Sequence, residues 1–497
     1  MRRGDCGAAG AASRPDGMLR ASNVKLRDLW VGLAATLFSA IAIAVVRVHG
    51  GDPQEVTWRI GMLIPIAAVS LLSLVGSAYL SNPRRSAIPW FWGVIAAGGI
   101  ANFLLPYALP TPGFNPVTMK LNGFFGKFLP LQLPTGSDFL NGVYLPARAF
   151  SSSASAYPPF TLIIGKPFTL LGFSSAYLVQ VGVLVALGIA SAALSAVLAM
   201  KVVHGPDSDD SPRISRAQVA ILMCAWLLSS YGFVFEVERG NIDLYALFFS
   251  LLAVWALTRK HDNVWLPAVL LAVAINIKLY PAILVVLLFW RYRWRAVVPV
   301  LVSNAVLLLV AGPTNAWSFF KNLTALGGAP SLWAWVGNHS AASFTQGLAL
   351  RFPGMPVTAV GLIALLVPLC LWAVTMFVLF RRKFSASGAV LAAAASVPVM
   401  GALPSVSHDY KLVLLVFPMT LIVVAVLAMR RMAFSRWVAL LGLAGIELVM
   451  LDRSPLVSAP AFLANKYPLL VLVQLTILVL LYLRRDRASV DRAANSA

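Results

Sequence analysis

Five short polar segments interrupt the long apolar runs of this chain, and their side chains are of types that act in catalysis. A carboxylate can remove a proton from a hydroxyl, guanidinium and ammonium groups bind phosphate, and an imidazole can donate to a phosphate or a sugar hydroxyl. The set therefore predicts a site that deprotonates a hydroxyl and holds an anion. The segments are Asp138, Glu238-Arg239-Gly240-Asn241, Lys278-Leu279-Tyr280-Pro281, Asn338-His339-Ser340 and Ser407-His408-Asp409-Tyr410.

Asp138 is the only acidic residue between Glu55 and Asp207, in the setting Thr135-Gly136-Ser137-Asp138. A carboxylate near a membrane interface costs free energy unless it is used or paired. These observations favour a general base that removes a proton from a hydroxyl. The alternative is an interfacial aspartate that caps a short helix, which the Ser-Asp context also permits.

Arg239 and Lys278 are the candidate phosphate-binding cations. Arg239 can pair with a phosphate by a bidentate fork, and Gly240 beside it would allow a close backbone approach. The alternative is a short loop in which Glu238 and Arg239 pair with each other. Lys278 lies on the side of the membrane that basic residues avoid, which predicts a bound lipid phosphate. Snorkelling of its side chain to the interface is the alternative.

His339, His408 and Asp409 are predicted to lie on the same face as Asp138. Each histidine could donate to a phosphate or a sugar hydroxyl, whereas the alternative is a solvated loop side chain. Asp409 could orient His408 or act as a second carboxylate. The spacing of these residues fits no zinc-ligand pattern, so we predict no metal site.

The composition predicts an all-α polytopic membrane protein. Apolar residues make up 59% of the chain and charged residues 11%, which excludes a soluble protein. Apolar runs of about 17–25 residues recur, the length that a helix needs to cross a bilayer. The net charge of +21 comes from clusters at helix ends, without a folded basic domain. We therefore reject nucleic acid as a partner and expect contact with membrane lipids.

Arginine clusters fall in alternate gaps between the apolar runs, which predicts about 14 transmembrane helices with both termini cytoplasmic. Six of the spans are expected near 29–47, 60–80, 88–107, 174–201, 217–235 and 264–278. The sixth span is expected to end at Arg259-Lys260, the eighth at Arg291, the ninth near Gly312, the tenth at Arg381, the eleventh at Ser407, the twelfth at Arg430, the thirteenth near Leu451 and the fourteenth at Arg484. The long outer segment 108–172 is expected to hold short interfacial helices, and an outer loop covers 313–355. The count around 264–295 stays open because both spans there are short.

The motifs together resemble glycosyltransferase family 87, part of the GT-C superfamily of membrane glycosyltransferases. The resemblance runs from about 90 to 450 and depends on the order and shared sidedness of the motifs. The residues that carry it are Asp138 with Tyr144, Tyr157-Pro158-Pro159, Arg239-Gly240-Asn241, Ile277-Lys278-Leu279-Tyr280-Pro281, Trp294-Arg295, Gly337-Asn338-His339-Ser340 and Ser407-His408-Asp409-Tyr410.

Together with the pattern of arginine clusters, the resemblance implies an organisation in five parts. A cytoplasmic basic tail covers 1–28, and a two-helix addition at 29–86 precedes a GT-C-like catalytic core at 87–451. An outer loop and the last span follow at 452–483, before a cytoplasmic tail at 484–497. Such a protein would lie in a bacterial inner or plasma membrane, with its active site on the extracytoplasmic face.

The resemblance also implies an activity and a set of roles. Relatives take a hexose, mannose being the first choice, from a polyprenyl-phosphate carrier and add it, usually with inversion, to a lipid or glycan acceptor. The lipid-linked sugar would be the donor substrate, and a divalent cation stays an open question. By resemblance, Asp138 would be the base and Arg239, Lys278 and His339 would hold the lipid phosphate. The sugar and acceptor pocket would comprise Glu238, Asn241, Tyr280, Asn338, His408 and Asp409.

Two other classes of function stay open on the sequence. A transporter or flippase for lipid-linked sugars would use the same cations but would not need Asp138 as a base. It would also favour polar residues in the middle of the membrane, of which the spans offer few apart from Asn276 and Asn304. An outward-facing glycan ligase or polymerase would take a lipid-diphosphate oligosaccharide instead. The sugar, the acceptor, the linkage and the oligomeric state are not specified by the sequence.

Overall fold

A computed structural model of the protein describes residues 136–153, 155, 157–203, 215–260, 262–327, 338–428 and 465–496. Within these ranges the secondary structure is helical, apart from one isolated antiparallel pairing of Asn338 with His408. The predicted all-α class is therefore confirmed for this part of the chain. The predicted tail 1–28, the addition 29–86, the first three spans and the thirteenth span lie outside the described residues.

We number the helices of the described ranges α1 to α15. Helix α1 passes through three consecutive segments, Ser137–Phe139, Leu140–Tyr144 and Leu145–Ala149. The others are α2 (Phe160–Gly165), α3 (Phe173–Val203), α4 (Arg216–Ser229), α5 (Tyr231–Arg239), α6 (Asp243–Leu257), α7 (Trp265–Ile277), α8 (Val285–Tyr292), α9 (Val297–Leu309), α10 (Pro313–Gly327), α11 (Ala341–Arg351), α12 (Val357–Phe380), α13 (Ala386–Ala402), α14 (Val416–Ala428) and α15 (Tyr467–Ser496). Short helical turns lie at Lys166–Leu170, Tyr280–Leu284, Arg293–Ala296 and Asp409–Leu415.

Several described helices are long and apolar enough to cross a membrane. Three do so singly, and the number rises to five if each of two bent helix pairs is one span. The three are Phe173–Val202, Val357–Phe380 and Asp409–Ala428. A helix needs about 20 residues to span the hydrocarbon core, and these three have 30, 24 and 20. The predicted membrane character is therefore supported. The predicted total of 14 spans is not shown.

Two predicted segments differ in detail from the structure. The predicted fifth span is broken between α4 and α5, which meet at 60°. Ser230 adopts an extended conformation there, and its hydroxyl accepts from the amide of Phe233, so a new helix begins. The predicted outer loop 313–355 is largely helical, because α10 and α11 occupy it. Helix α10 turns by 97° from the preceding run, Tyr280–Leu309.

The candidate site residues and the basic residues Lys201 and Arg291 lie at opposite ends of one helix bundle. Helix α6 has 15 residues and is therefore about 21 Å long. At its first residue, Asp243 contacts Lys278. At its other end, the carbonyl of Leu257 accepts from the guanidinium of Arg291, and the ammonium of Lys201 lies 2.5 Å from the hydroxyl of Thr258. Helix α6 packs between α3 and α7, and this packing fixes the separation of the two ends.

Candidate active site

Asp138 lies in the first turn of α1, and the aromatic residue after it anchors that turn. The ring of Phe139 is fully buried, 6.4 Å from the ring of Tyr177 and 5.2 Å from that of Phe168. Gly136, with φ at +74°, starts the turn, and its carbonyl accepts from the amide of Leu140 at 2.7 Å. With Phe139 in the core, Asp138 is held at the polar end of the bundle.

Both carboxylate oxygens of Asp138 accept hydrogen bonds from the segment that follows α5. A guanidinium nitrogen of Arg239 lies 2.5 Å from Oδ1, and the side-chain amide of Asn241 donates to Oδ2 at 2.8 Å. The side chains of Asp138 and Arg239 keep 16% and 34% of their surface exposed. The carboxylate is thus fixed in direction and still accessible from outside the protein.

Gly240 lets this segment approach α1 closely. Its φ is +65°, which favours glycine, and its amide and that of Asn241 bond back to the last turn of α5. A Cβ at this position would lie 2.7 Å from the Cβ of Phe139. The hydroxyl of Tyr177 also donates to the carbonyl of Val237 at 2.6 Å. The close backbone approach predicted for Gly240 is therefore made to α1.

Lys278 lies in a buried cage of one carboxylate and two aromatic rings. Its ammonium is 3.2 Å from Oδ2 of Asp243, and 4.2 Å and 5.4 Å from the ring centres of Tyr157 and Tyr410. The hydroxyl of Tyr280 donates to the other oxygen of Asp243 at 2.7 Å. Burial lowers the pKa of Lys278, but Asp243, with Tyr157 and other neighbours, raises it more. Its net pKa is above the ordinary value, so the ammonium stays charged.

His339 and Asp409 form a buried pair whose proton arrangement follows from its contacts. The amide of Lys466 donates to Nδ1 of His339 at 3.0 Å, so Nδ1 is the acceptor nitrogen. The proton therefore sits on Nε2, which lies 2.5 Å from Oδ1 of Asp409. The hydroxyl of Tyr231 donates to the other oxygen of Asp409 at 3.4 Å. His339 and Asp409 are both almost fully buried.

Asn338 joins three separate chain segments around this pair. Its side-chain oxygen accepts from the amide of Ser407 at 2.8 Å, and its side-chain nitrogen donates to the carbonyl of Ser405 at 2.9 Å. Its own carbonyl accepts from the side chain of Asn465 at 2.8 Å. The amide of His339 donates to the carbonyl of Ser407 at 2.7 Å. Residues near 338, 407 and 465 are thereby fixed as one unit.

His408 belongs to this unit, since its backbone pairs with that of Asn338, and its ring lies close enough to Asp138 to interact with that charge. Its ring meets that of Tyr410 edge-on, with centres 5.4 Å apart. Burial, and then the charge of Lys411, lower the pKa of His408 to about 4, while Asp138 and Asp409 oppose the shift. The imidazole is therefore neutral near pH 7.

The structure brings the predicted residues together at one end of the bundle. These are Asp138, Arg239, Asn241, Lys278, Tyr280, Asn338, His339, His408 and Asp409. The side chain of Glu238 lies outside the described part of the structure. No group of three histidine, cysteine or acidic side chains among the described residues is arranged to hold a metal ion.

The sequence interpretation assigned no role to several residues that the structure places in this cluster. These residues are Asp243, Tyr231, Asn465 and Lys466. One signal was present for Lys466, which is the only basic residue between Arg453 and Arg484. It begins an apolar run on the predicted outer side, as Lys278 ends one, and so opposes the same predicted charge trend.

One comparison with known proteins identifies a family. The model of glycosyltransferase family 87 matches residues 156–404, half of the chain and a narrower range than the predicted 90–450. This range includes Arg239, Lys278 and His339, whereas Asp138 and Asp409 lie outside it. No curated protein and no solved structure matches the chain.

Proposed function

The chain belongs to glycosyltransferase family 87, and from this premise we propose that it transfers a hexose from a polyprenyl-phosphate carrier to a lipid or glycan acceptor. Mannose is the first candidate for the sugar, by family analogy. The proposed reaction inverts the anomeric carbon in one displacement. Such a reaction needs a base for the acceptor hydroxyl and cations for the departing phosphate.

The observation that carries this proposal is the accessibility of Asp138 within a cluster of buried acids. The side chain of Asp138 is 16% exposed, whereas Glu236, Asp243 and Asp409 are fully buried. Of these four carboxylates, Asp138 is therefore the one that an acceptor hydroxyl can reach. In the proposed step it takes the hydroxyl proton while the oxygen attacks the sugar carbon. The bond from that carbon to the phosphate oxygen breaks, and polyprenyl phosphate leaves with the electron pair.

Arg239 and Lys278 are the proposed ligands of the leaving phosphate. Arg239 contacts Asp138 with one nitrogen and is the more exposed of the two cations. Lys278 is kept in its charged form by Asp243. A guanidinium beside the base would place the phosphate next to the attacking hydroxyl. We also propose a changed role for His339. Its two ring nitrogens bind Lys466 and Asp409, so it orients Asp409 instead of contacting phosphate.

The remaining predicted residues are proposed to form the sugar and acceptor pocket. Asn241 and His408 adjoin Asp138, and Tyr280 adjoins Asp243. A neutral His408 can both donate and accept hydrogen bonds, which suits sugar hydroxyls. Glu238 completes the proposed pocket, whereas Asn338 and Asp409 are fully buried and are proposed to support it without contacting the substrates.

We propose that this end of the bundle faces the extracytoplasmic side. The support is the position of the site at the end of α6 opposite to Lys201 and Arg291, since basic clusters favour the cytoplasmic side. The donor would then be drawn from the outer leaflet, with no nucleotide at the active site. Both chain termini are proposed to be cytoplasmic.

The test is a transfer assay with a panel of radiolabelled polyprenyl-phosphate sugars. Purified protein in lipid vesicles would be given membrane extract as acceptor, with and without a chelator to test for a divalent cation. Label transferred from a polyprenyl-phosphate hexose supports the proposal. Transfer only from a lipid-diphosphate oligosaccharide would favour a ligase, and movement of label across the vesicle without transfer would favour a flippase.

A further inference from the structure

Helix α10 presents two different faces. It begins at Pro313 and lies at 97° to the run before it. Trp317 and Phe320 on its outer face are 74% and 46% exposed, whereas Phe319 is buried. Asn315 and Asn322 share the face of Phe319, because residues four and three positions apart lie on one side of a helix. The inner face of α10 therefore carries two amide side chains toward the protein.

These two amides bind Ser152, Ser153 and Ser155. We call the described residues 151–153, 155 and 157 the serine loop. The side chain of Asn322 donates to the carbonyls of Ser152, Ser153 and Ser155 at 2.8, 3.0 and 3.2 Å. The side chain of Asn315 accepts from the amide of Ser152 at 2.9 Å. The hydroxyl of Ser152 donates in return to the carbonyl of Asn315 at 2.6 Å. The serine loop is thus bound to α10 along most of its described length.

The serine loop ends at Tyr157 and fixes where that ring lies. The amide of Tyr157 donates to the hydroxyl of Ser155 at 3.1 Å, and that hydroxyl donates to the carbonyl of Gly142 in α1 at 3.3 Å. A Cβ on Gly142 would lie 2.5 Å from the Tyr157 ring, so the ring packs directly on α1. The centre of the same ring lies 4.2 Å from the ammonium of Lys278.

We propose that Asn315 and Asn322 are positioning residues that hold Tyr157 over Lys278 through the serine loop. This inference rests on the proposed function, since it concerns the cation proposed to bind the phosphate of the donor. Without the two asparagines, the loop loses its contacts to α10 and the ring loses its fixed position. The ammonium of Lys278 is then less well directed, although no residue that touches substrate has been changed.

Hydrogen–deuterium exchange tests the first half of the proposal without any substrate. Asn322→Asp has nearly the same shape but places a carboxylate against three carbonyl oxygens. Lys321→Ala is the matched control, because Lys321 is an exposed neighbour on the same helix. The amides of the serine loop should exchange faster in Asn322→Asp than in wild type and in Lys321→Ala. Equal exchange in all three proteins would overturn the proposal.

A double-mutant cycle tests the second half. We expect Asn322→Asp to lower kcat/KM for sugar transfer by about 10- to 100-fold, the usual effect of a loosened catalytic geometry. In a Tyr157→Ala background, the same substitution should change kcat/KM by less than about twofold, because the two residues act in one chain of contacts. Independent, additive losses would contradict a role through Tyr157. If wild type transfers no sugar, the proposed function fails, while the exchange experiment still decides whether α10 holds the loop.

Discussion

The guanidinium of Arg239 lies 2.5 Å from the carboxylate of Asp138, although 101 residues separate them in the chain. The pair joins the first turn of α1 to the end of α5, and Asn241 completes it from the same segment. A proposed base and a proposed phosphate ligand are therefore in direct contact. This arrangement allows one acceptor hydroxyl and one donor phosphate to meet at a defined place.

Arg239 should affect donor binding and turnover together. Arg239→Ala removes charge-assisted hydrogen bonds worth about 1.5–3 kcal/mol, so kcat/KM for the lipid-linked donor should fall about 10- to 100-fold. Arg239→Lys keeps the charge but loses the planar fork of donors, so its kcat/KM should lie between those of wild type and Arg239→Ala. Arg295→Ala is the control, because Arg295 pairs with Asp262 on the exposed surface. Steady-state kinetics with varied donor concentration would measure the change, and equal losses in Arg239→Ala and Arg295→Ala would contradict the assignment.

Gly240 should tolerate no side chain. Gly240→Ala puts a Cβ at positive φ, 2.7 Å from the Cβ of Phe139, so α1 must move away from α5. Left-handed strain of about 1–2 kcal/mol adds to the overpacking, and the melting temperature in detergent should fall by several degrees. Gly182→Ala is the control, since nothing lies within 4 Å of its added Cβ. A melting temperature for Gly240→Ala equal to that of Gly182→Ala would be the contrary result.

His408 should make the protein less stable in mild acid. Its pKa falls from 6.5 to about 4 on folding, because of burial first and Lys411 second. Between these values the unfolded chain binds a proton that the folded protein does not. The contribution of His408 to the free energy of unfolding is therefore fully present above pH 6.5. It is lost as the pH falls toward 4, and the total loss is about 3 kcal/mol.

The measurement is the melting temperature between pH 4 and pH 7.5. His408→Gln, which cannot titrate, should show a weaker dependence on pH than wild type. Parallel curves for the two proteins would show that His408 does not carry this effect.

The sequence carries enough information to identify most residues of the candidate site, but not the residues that form ion pairs or hydrogen bonds with them. Lys278 could be found because a lysine on the predicted outer side opposes the charge trend of the predicted spans. Its partner Asp243 could not, because an acid in the first turn of a helix is also favoured by the helix dipole. The apolar pattern similarly predicted the helical class that the described residues show, whereas the break at Ser230 depends on a local hydroxyl contact that the pattern does not contain.

The segment 313–355 shows a second limit of the sequence. Its place between the ninth and tenth predicted spans predicted an outer loop, whereas α10 and α11 occupy much of it. The inward contacts of Asn315 and Asn322 hold α10 by hydrogen bonds to the serine loop. Such bonds join residues about 170 positions apart and leave no periodic signal in the sequence.

The stability of the His339–Asp409 pair should depend more on the backbone amide of Lys466 than on the side chain of that residue. Lys466→Pro removes the donor to Nδ1 of His339, and a buried acceptor without a donor costs about 1–3 kcal/mol. Lys466→Ala keeps the amide and is the matched control. The melting temperature should fall further for the proline variant, and this extra loss should vanish when His339→Ala is added to both. An extra loss that persists in the His339→Ala background would contradict the tautomer assigned here.

The most direct test of the central claim compares wild type with Asp138→Asn in the sugar-transfer assay. Asp262→Asn serves as control, because Asp262 is an exposed acid paired with Arg295, distant from the site. A general base contributes about 10²–10⁴-fold, so Asp138→Asn should lose that much of kcat. Its new amide nitrogen faces a donor of Arg239 or Asn241, so the melting temperature should also fall, and kcat is compared for equal amounts of folded protein. Asp262→Asn should transfer sugar as wild type does. Transfer by Asp138→Asn at the wild-type rate would contradict the account and move the base to another carboxylate.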